Sequence, residues 1–166
     1  MSVLNNRQIR QKLSRLAYEI IEQNSSEDQV YLAGINNNGL AFAELLVQEL
    51  KHIKACPFKV DVIQISLNPA DPTNHPIVIN VDGAILKGQN VIIVDDVANT
   101  GRTIFYAFKP FMELLLKKLQ VAVLVDRKHK SFPIEVEYVG LTLATTFEDH
   151  IEVNLTKKEG YSVQLS

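Results

Sequence analysis

Apolar and polar positions switch between two periods along this chain, and the switches mark its elements. Ile9, Leu13, Leu16, Ala17, Ile20 and Ile21 recur at helical spacing, with Arg10, Arg15, Glu19 and Glu22 on other faces. Asn6 stands where a cap is needed, so the spacing predicts a first helix that ends in the polar run 24–28. Residues 30–33 read as a short buried strand closing in Gly34-Ile35-Asn36-Asn37-Asn38-Gly39. A second helix comes next, with Leu40, Ala43, Leu46, Val47 and Leu50 inward. Val60, Val62, Ile63 and Ile65 begin a strand region, and residues 76–79 are its candidate partner. Between them, residues 68–75 contain prolines but no Lys or Arg, which reads as a loop or lid. Residues 86–89 lead into the apolar run 91–94. A helix is predicted from about Arg102, carrying Ile104, Ala107, Phe108, Phe111, Met112 and Leu115, with a kink or restart at Pro110. Residues 121–125 form another buried strand ending at Asp126. Late strands are expected at 136–139, 151–154 and 162–165. Strands alternating with helices imply an α/β fold, a parallel sheet with helices on both faces. In such sheets ligands bind outside the carboxyl ends of the strands. Three strands end in chemically loaded loops, after Ala33, Val94 and Val125. No repeat or low-complexity segment interrupts the pattern, so residues 1–166 read as a single domain.

The richest of these ends is Val91-Ile92-Ile93-Val94-Asp95-Asp96-Val97-Ala98-Asn99-Thr100-Gly101-Arg102-Thr103. A buried strand stops at two adjacent carboxylates, and a turn then offers backbone N–H groups at a helix N-terminus. Asp95 and Asp96 point to opposite faces of the strand, so one can meet a ligand while the other reaches neighbouring groups. Carboxylates accept hydrogen bonds from sugar hydroxyls and attract hydrated Mg²⁺. The N–H groups of residues 99–103 and the hydroxyls of Thr100 and Thr103 can surround a phosphate, which Gly101 lets the backbone approach. A phosphorylated sugar presents both groups. The plainer alternative is a strand ending in solvated acids beside a glycine-containing turn.

Composition narrows the class. Hydrophobic residues make up 46% of the chain and charged residues 22%, as in ordinary soluble proteins. A net charge of −2 gives no global attraction to nucleic acid, so RNA binding would need a local basic patch. Lys117-Lys118, Arg127-Lys128-His129-Lys130 and Lys157-Lys158 are the candidates, and such short runs are usually solvated faces. Cys56, the only cysteine, excludes an intramolecular disulfide and fits a reducing compartment. The opening residues lack a basic stretch leading into an apolar one, and no apolar run approaches the roughly 20 residues that span a bilayer. The expected location is therefore the cytoplasm, with no membrane partner.

The 91–103 segment resembles the phosphoribosyl-pyrophosphate motif of the type I phosphoribosyltransferases: four hydrophobic residues, two acids, a variable stretch, then Thr-Gly-Arg/Lys-Thr. Nearly the whole chain looks like the PyrR group, pyrimidine-operon attenuators that also have uracil phosphoribosyltransferase activity. Residues 8–22 look like that group's opening helix. Val123-Leu124-Val125-Asp126-Arg127-Lys128-His129 and then Pro133-Ile134 resemble its distinctive Val-Leu-Val-Asp-Arg-Gly-His segment, and Tyr138-Val139-Gly140 matches its subsequent Asp-Tyr-Ile-Gly. The resemblance implies a type I phosphoribosyltransferase fold, a central mainly parallel sheet flanked by helices with a small hood. It implies Asp95 and Asp96 as catalytic residues on the sugar hydroxyls, and Val97, Ala98, Asn99, Thr100, Gly101, Arg102 and Thr103 as the 5′-phosphate loop. Gly34, Asn36, Asn37, Asn38 and Gly39 would form the pyrophosphate loop, against the plain reading of an ordinary glycine-flanked turn. Asp126 and Arg127 would lie on the base-binding side, against a strand-end salt bridge. His129 is read as a solvated loop residue. Mg²⁺ would be the cofactor, held through substrate and water with Asp95 and Asp96 rather than by a dedicated ligand set, and a homodimer is implied.

Two departures from the group bear on activity. Its pyrophosphate loop commonly reads Gly-Ile-Lys-Thr-Arg-Gly, where this chain has Gly-Ile-Asn-Asn-Asn-Gly. Its flexible loop commonly carries Tyr-Arg-Asp-Asp, where this chain has Asn68-Pro69-Ala70-Asp71. Charge-assisted bonds to phosphate are about twice as strong as neutral ones, so the pyrophosphate half of the site is depleted while the sugar-phosphate half is intact. Three functions remain open on the sequence. The first is transfer of ribose 5-phosphate from phosphoribosyl pyrophosphate to a pyrimidine base, uracil giving UMP. The second is an RNA- or nucleotide-binding regulator with weak or lost catalysis, and the third a nucleotide sensor without turnover.

Overall fold

The computed structural model describes residues 1–146 and 148–166. Among them, β1 (Ser2–Leu4) leads into α1 (Asn6–Gln23), β2 (Gln29–Ile35), α2 (Asn36–His52), β3 (Lys59–Ser66) and β4 (Val78–Ile79). β5 (Asn90–Ala98), α3 (Arg102–Ala107), β6 (Lys118–Arg127), β7 (Tyr138–Leu143), β8 (Ile151–Asn154) and β9 (Ser162–Leu165) complete the order. One six-stranded sheet runs β4-β3-β2-β5-β6-β7. All its pairings are parallel except β3 with β4, so the expected mainly parallel sheet is present. A separate three-stranded sheet, β1-β9-β8, is antiparallel and forms the hood.

The central strands alternate their side chains between two cores, as a sheet covered on both faces requires. Leu32 on β2, Ile92 and Val94 on β5 and Leu124 on β6 join the core beneath α1 and α2. Ala33, Ile93 and Val123 join the core beneath α3. Each such fully buried large aliphatic side chain contributes about 1.5–3 kcal/mol, and the β5 run is the spine that holds the acidic pair at the sheet's edge. No helix among the described residues is long and apolar enough to cross a membrane.

Several boundaries differ from the sequence reading, each for a local reason. The cap of α1 is Asn5, one residue earlier than Asn6. Gln8 N donates to Asn5 Oδ1 and Asn5 N to Gln8 Oε1, both at 2.9 Å, because the reciprocal box needs Gln three residues after the cap. Asn6 Oδ1 instead accepts from Tyr161 N of the hood at 3.3 Å. The asparagine run 36–38 is not a free loop but the first turn of α2. The helix after the motif stops at Ala107, a 3-10 turn over Lys109–Phe111 takes Pro110, and no helix resumes. Met112 and Leu115, expected inward, are therefore 68% and 78% exposed. β7 begins two residues later than expected and runs on to Leu143, while β1 has no counterpart in the sequence reading.

Candidate functional site

The carboxyl ends of β2, β5 and β6 meet in one region, and the hood closes over it. At its centre is a cleft of about 420 Å³ lined by Asn36, Asn37, Asn38, Pro69, Asp95, Asp96, Val97, Asn99, Thr103 and Ile151. A smaller recess of about 40 Å³ adjoins it, walled by Asp95 and residues 97–104. Asp95 and Asp96 both line the cleft, and beyond it Asp95 also lines the small recess and Asp96 a side pocket of about 200 Å³ beneath the hood. A larger concavity, about 510 Å³ beside Lys51, Lys54, Phe58 and Lys59, shares no residue with the motif loops.

Asp95 is only 9% exposed, and burial first, then the neighbouring Asp96 charge, pushes its carboxyl well above the usual range. Its Oδ1 accepts from Asp96 N at 2.9 Å, and Asp96 Oδ1 accepts from Val97 N at 2.9 Å. Asp95 is thus a buried acid beside a half-buried one, an arrangement that is costly without hydroxyl donors or a counter-charge.

The 97–103 loop packs closely against the segment after β6. Gly101 takes φ of 85°, which only glycine adopts freely, and a Cβ there would lie 2.7 Å from Ile134 Cγ1. Thr100 O accepts from Ser131 N at 2.9 Å and Phe132 N at 3.1 Å, so the segment after β6 braces the loop. Arg102 lines the recess and its guanidinium donates to Pro69 O of the 68–75 loop. That contact ties the loop to the motif and places Pro69 in the cleft wall.

The 34–39 segment joins the site through its asparagines, while its glycines serve packing. A Cβ on Gly34 would meet Leu40 N at 2.5 Å, and one on Gly39 would meet Val94 O at 2.5 Å. Asn36, with φ of 51°, uses its amide on the end of β3, donating to Leu67 O and accepting from Leu67 N at 3.0 Å each. Asn37 and Asn38 face the cleft, and the first turn of α2 has no side-chain cap.

Asp126 and Arg127 do not act as one unit. Asp126 is paired with Lys130 at 2.5 Å rather than with Arg127, and Lys130 also donates to Arg127 O. Arg127 makes three bonds to two segments: Nε donates to Thr145 Oγ1 (2.7 Å), one terminal nitrogen to Asn99 Oδ1 (3.2 Å) and the other to Thr146 O (2.6 Å). With Asn99, Thr100 and His129 it lines a recess of about 140 Å³. His129 is not simply solvated, since its Nε2 lies within hydrogen-bond distance of Thr145 O.

The sequence reading missed Pro69, Ile151 and Thr145. Each reaches the site across a long separation in the chain, and no local pattern marks it.

Comparison with known proteins agrees with this geometry. Residues 1–157 match the family model described as phosphoribosyl transferase domain. Over 164 residues the chain is 35% identical to "Bifunctional protein PyrR" of Bacillus mycoides (strain KBAB4), covering 95% of this chain and 91% of that one. The protein of the same name from Bacillus cereus (strain B4264) matches equally, at 35%. Among solved structures, the hypoxanthine phosphoribosyltransferase of Trypanosoma cruzi superposes with a TM-score of 0.77 at 16% identity, over 99% of this chain and 94% of that one. A hypoxanthine-guanine phosphoribosyltransferase from Bacillus anthracis gives a TM-score of 0.72 at 23% identity, over 88% and 84%. At those identities the structural likeness establishes the fold.

Proposed function

Because the chain belongs to the phosphoribosyl transferase domain family, we propose that it transfers ribose 5-phosphate from phosphoribosyl pyrophosphate to a pyrimidine base, uracil giving UMP. The observation that carries the reading is the continuity of the acidic pair with a phosphate-sized recess on one side and the uncapped turn of α2 on the other. Uracil is favoured over a purine because the relatives at 35% identity carry the PyrR name, whereas the purine-acting structural neighbours are similar in fold.

In this reading the 97–103 loop holds the 5′-phosphate on backbone N–H groups and the hydroxyls of Thr100 and Thr103. Asp95 and Asp96 accept from the ribose hydroxyls and favour the cation-like sugar carbon of the transition state. The C1–O bond to pyrophosphate breaks with its electron pair leaving on pyrophosphate, and a ring nitrogen of the base forms the new bond and loses its proton. Asn37, Asn38 and the first N–H groups of α2 face the departing group. Arg127 positions the 99–100 backbone and the 145–146 segment beside the base. Among the described residues no three or more His, Cys, Asp or Glu cluster as a metal site. Two adjacent carboxylates nevertheless suit a hard cation that arrives with the substrate, with Asp95 and Asp96 on its hydration shell. Bound there, Mg²⁺ supplies charge neutralisation to the departing phosphates. A homodimer in the cytoplasm is part of the same proposal.

One observation favours a second reading. The 420 Å³ cleft has no Lys or Arg in its wall, as weak or lost catalysis in an RNA- or nucleotide-binding regulator would have it. Pyrophosphate release from phosphoribosyl pyrophosphate with Mg²⁺ and single bases decides between them. Release that depends on uracil and vanishes in Asp95→Asn, Asp96→Asn is the expected result. Binding of UMP without any release, with RNA affinity that falls steeply with salt, would establish the regulator instead.

A further inference from the structure

The proposed reaction leaves a charge problem, and this inference rests on that reading. A diphosphate carries several negative charges, yet the cleft wall offers it two carboxylates and four asparagines. Arg102, Arg127 and Lys130 are committed to protein oxygens, and Lys128 lines neither the cleft nor the side pocket that adjoins it.

Lys157 and Lys158 are different. They stand exposed on the turn between β8 and β9, and among the described residues neither makes an ion pair or hydrogen bond. The turn is shaped independently of them. Asn154 Oδ1 accepts from Thr156 N at 2.9 Å and from Thr156 Oγ1 at 2.8 Å, and Gly160 takes φ of 79°. Glu159, the turn's own acid, accepts from Asn154 Nδ2 at 2.9 Å instead of pairing with the lysines. The side pocket of about 200 Å³ connects the turn to the cleft: Asn38 and Asp96 line both, and the side pocket runs under β8 to Asn154 and Thr156. Asp96 and Glu152 share its wall, and the lysine pair matches those two acids in number. Thr156 is thus a wall residue, and two unpaired lysines on long flexible stems come directly after it.

We propose that Lys157 and Lys158 of the hood turn supply the cationic contacts to the diphosphate of the phosphoribosyl donor, the part that the asparagine turn 36–38 does not play. Diphosphate charge is met from the hood above instead of from the α2 turn. The lysines bind and orient the donor and take no part in the bond changes.

Calorimetric titration with inorganic pyrophosphate and Mg²⁺ tests this on wild type, Lys157→Ala/Lys158→Ala and Lys157→Arg/Lys158→Arg. Ribose 5-phosphate serves as the control ligand. The alanine pair should weaken pyrophosphate binding roughly tenfold and flatten its salt dependence, as the loss of two charge-assisted contacts requires. The arginine pair should retain affinity, and ribose 5-phosphate should bind all three proteins alike. Equal pyrophosphate affinity in wild type and the alanine pair overturns the inference, as does an equal loss for ribose 5-phosphate, which would mean a disturbed hood. Lysine-dependent pyrophosphate binding without base-dependent turnover overturns the reading of function and leaves the anion site standing.

Discussion

Asp95 carries the sharpest conflict in the molecule. Its carboxyl is held above the usual range by burial and by Asp96, so the folded state binds its proton more tightly than the unfolded chain does. This group therefore contributes most to stability below the unfolded value, near pH 4, and that contribution is lost as pH rises through the folded value. Asp95→Asn removes the cost. In the ligand-free protein it should raise Tm at pH 7 by about 2–4 °C, the shift that 1 kcal/mol produces in a chain of this length. Thermal melts from pH 4 to 8 check this: the advantage of the variant should grow with pH, and a constant offset would refute it. The same variant should lose sugar binding, since stability and function oppose each other where a site is built from strained charge. The strand end at Asp95 and Asp96 was legible in the sequence because four apolar residues run directly into two acids. The roles of Arg127 and Asn36 were not legible, because their partners, Thr145, Thr146 and Leu67, are fixed by the fold rather than by neighbours in the chain.

At the scale of elements, the first turn of α2 rests directly on the end of β5. Gly39 makes that approach possible, since a Cβ would sit 2.5 Å from Val94 O, a backbone atom that cannot swing aside. Gly39→Ala brings two opposed effects: up to about 1 kcal/mol of helix propensity gained and about 1–3 kcal/mol of overpacking lost. Overpacking should win, lowering the urea midpoint without changing the slope. An unchanged midpoint would mean that α2 can slide off the strand end. The opposite case lies after α3. Met112 and Leu115 continue a helical apolar period that Pro110 cuts short, and they emerge 68% and 78% exposed. Met112→Gln with Leu115→Gln should leave stability within about 0.5 kcal/mol, and a larger loss in a denaturation curve would show a buried role. Strand and helix identities were readable from period alone. Where one proline decides whether an apolar period continues, the period does not announce its own end.

At the scale of the whole molecule, the parallel sheet was legible because each of its strands is a local signal, and the hood was legible only in part. β8 and β9 stood out, but three residues at the start of the chain carry no strand pattern. Ser2 and Leu4 become β1 only because Gln164 and Val163 are there to pair with them. That pairing also orders events during synthesis. Residues 90–98 can pair with β2 while the rest of the chain is still being made, since β2 precedes them. The residues of β1 emerge first and must wait for those of β9, the contact of greatest separation in the fold and the slowest class to form. A nascent chain can thus own the acidic strand end before it owns a roof. The cleft becomes an enclosure, with Ile151 in its wall, only when the end of the chain returns to its beginning.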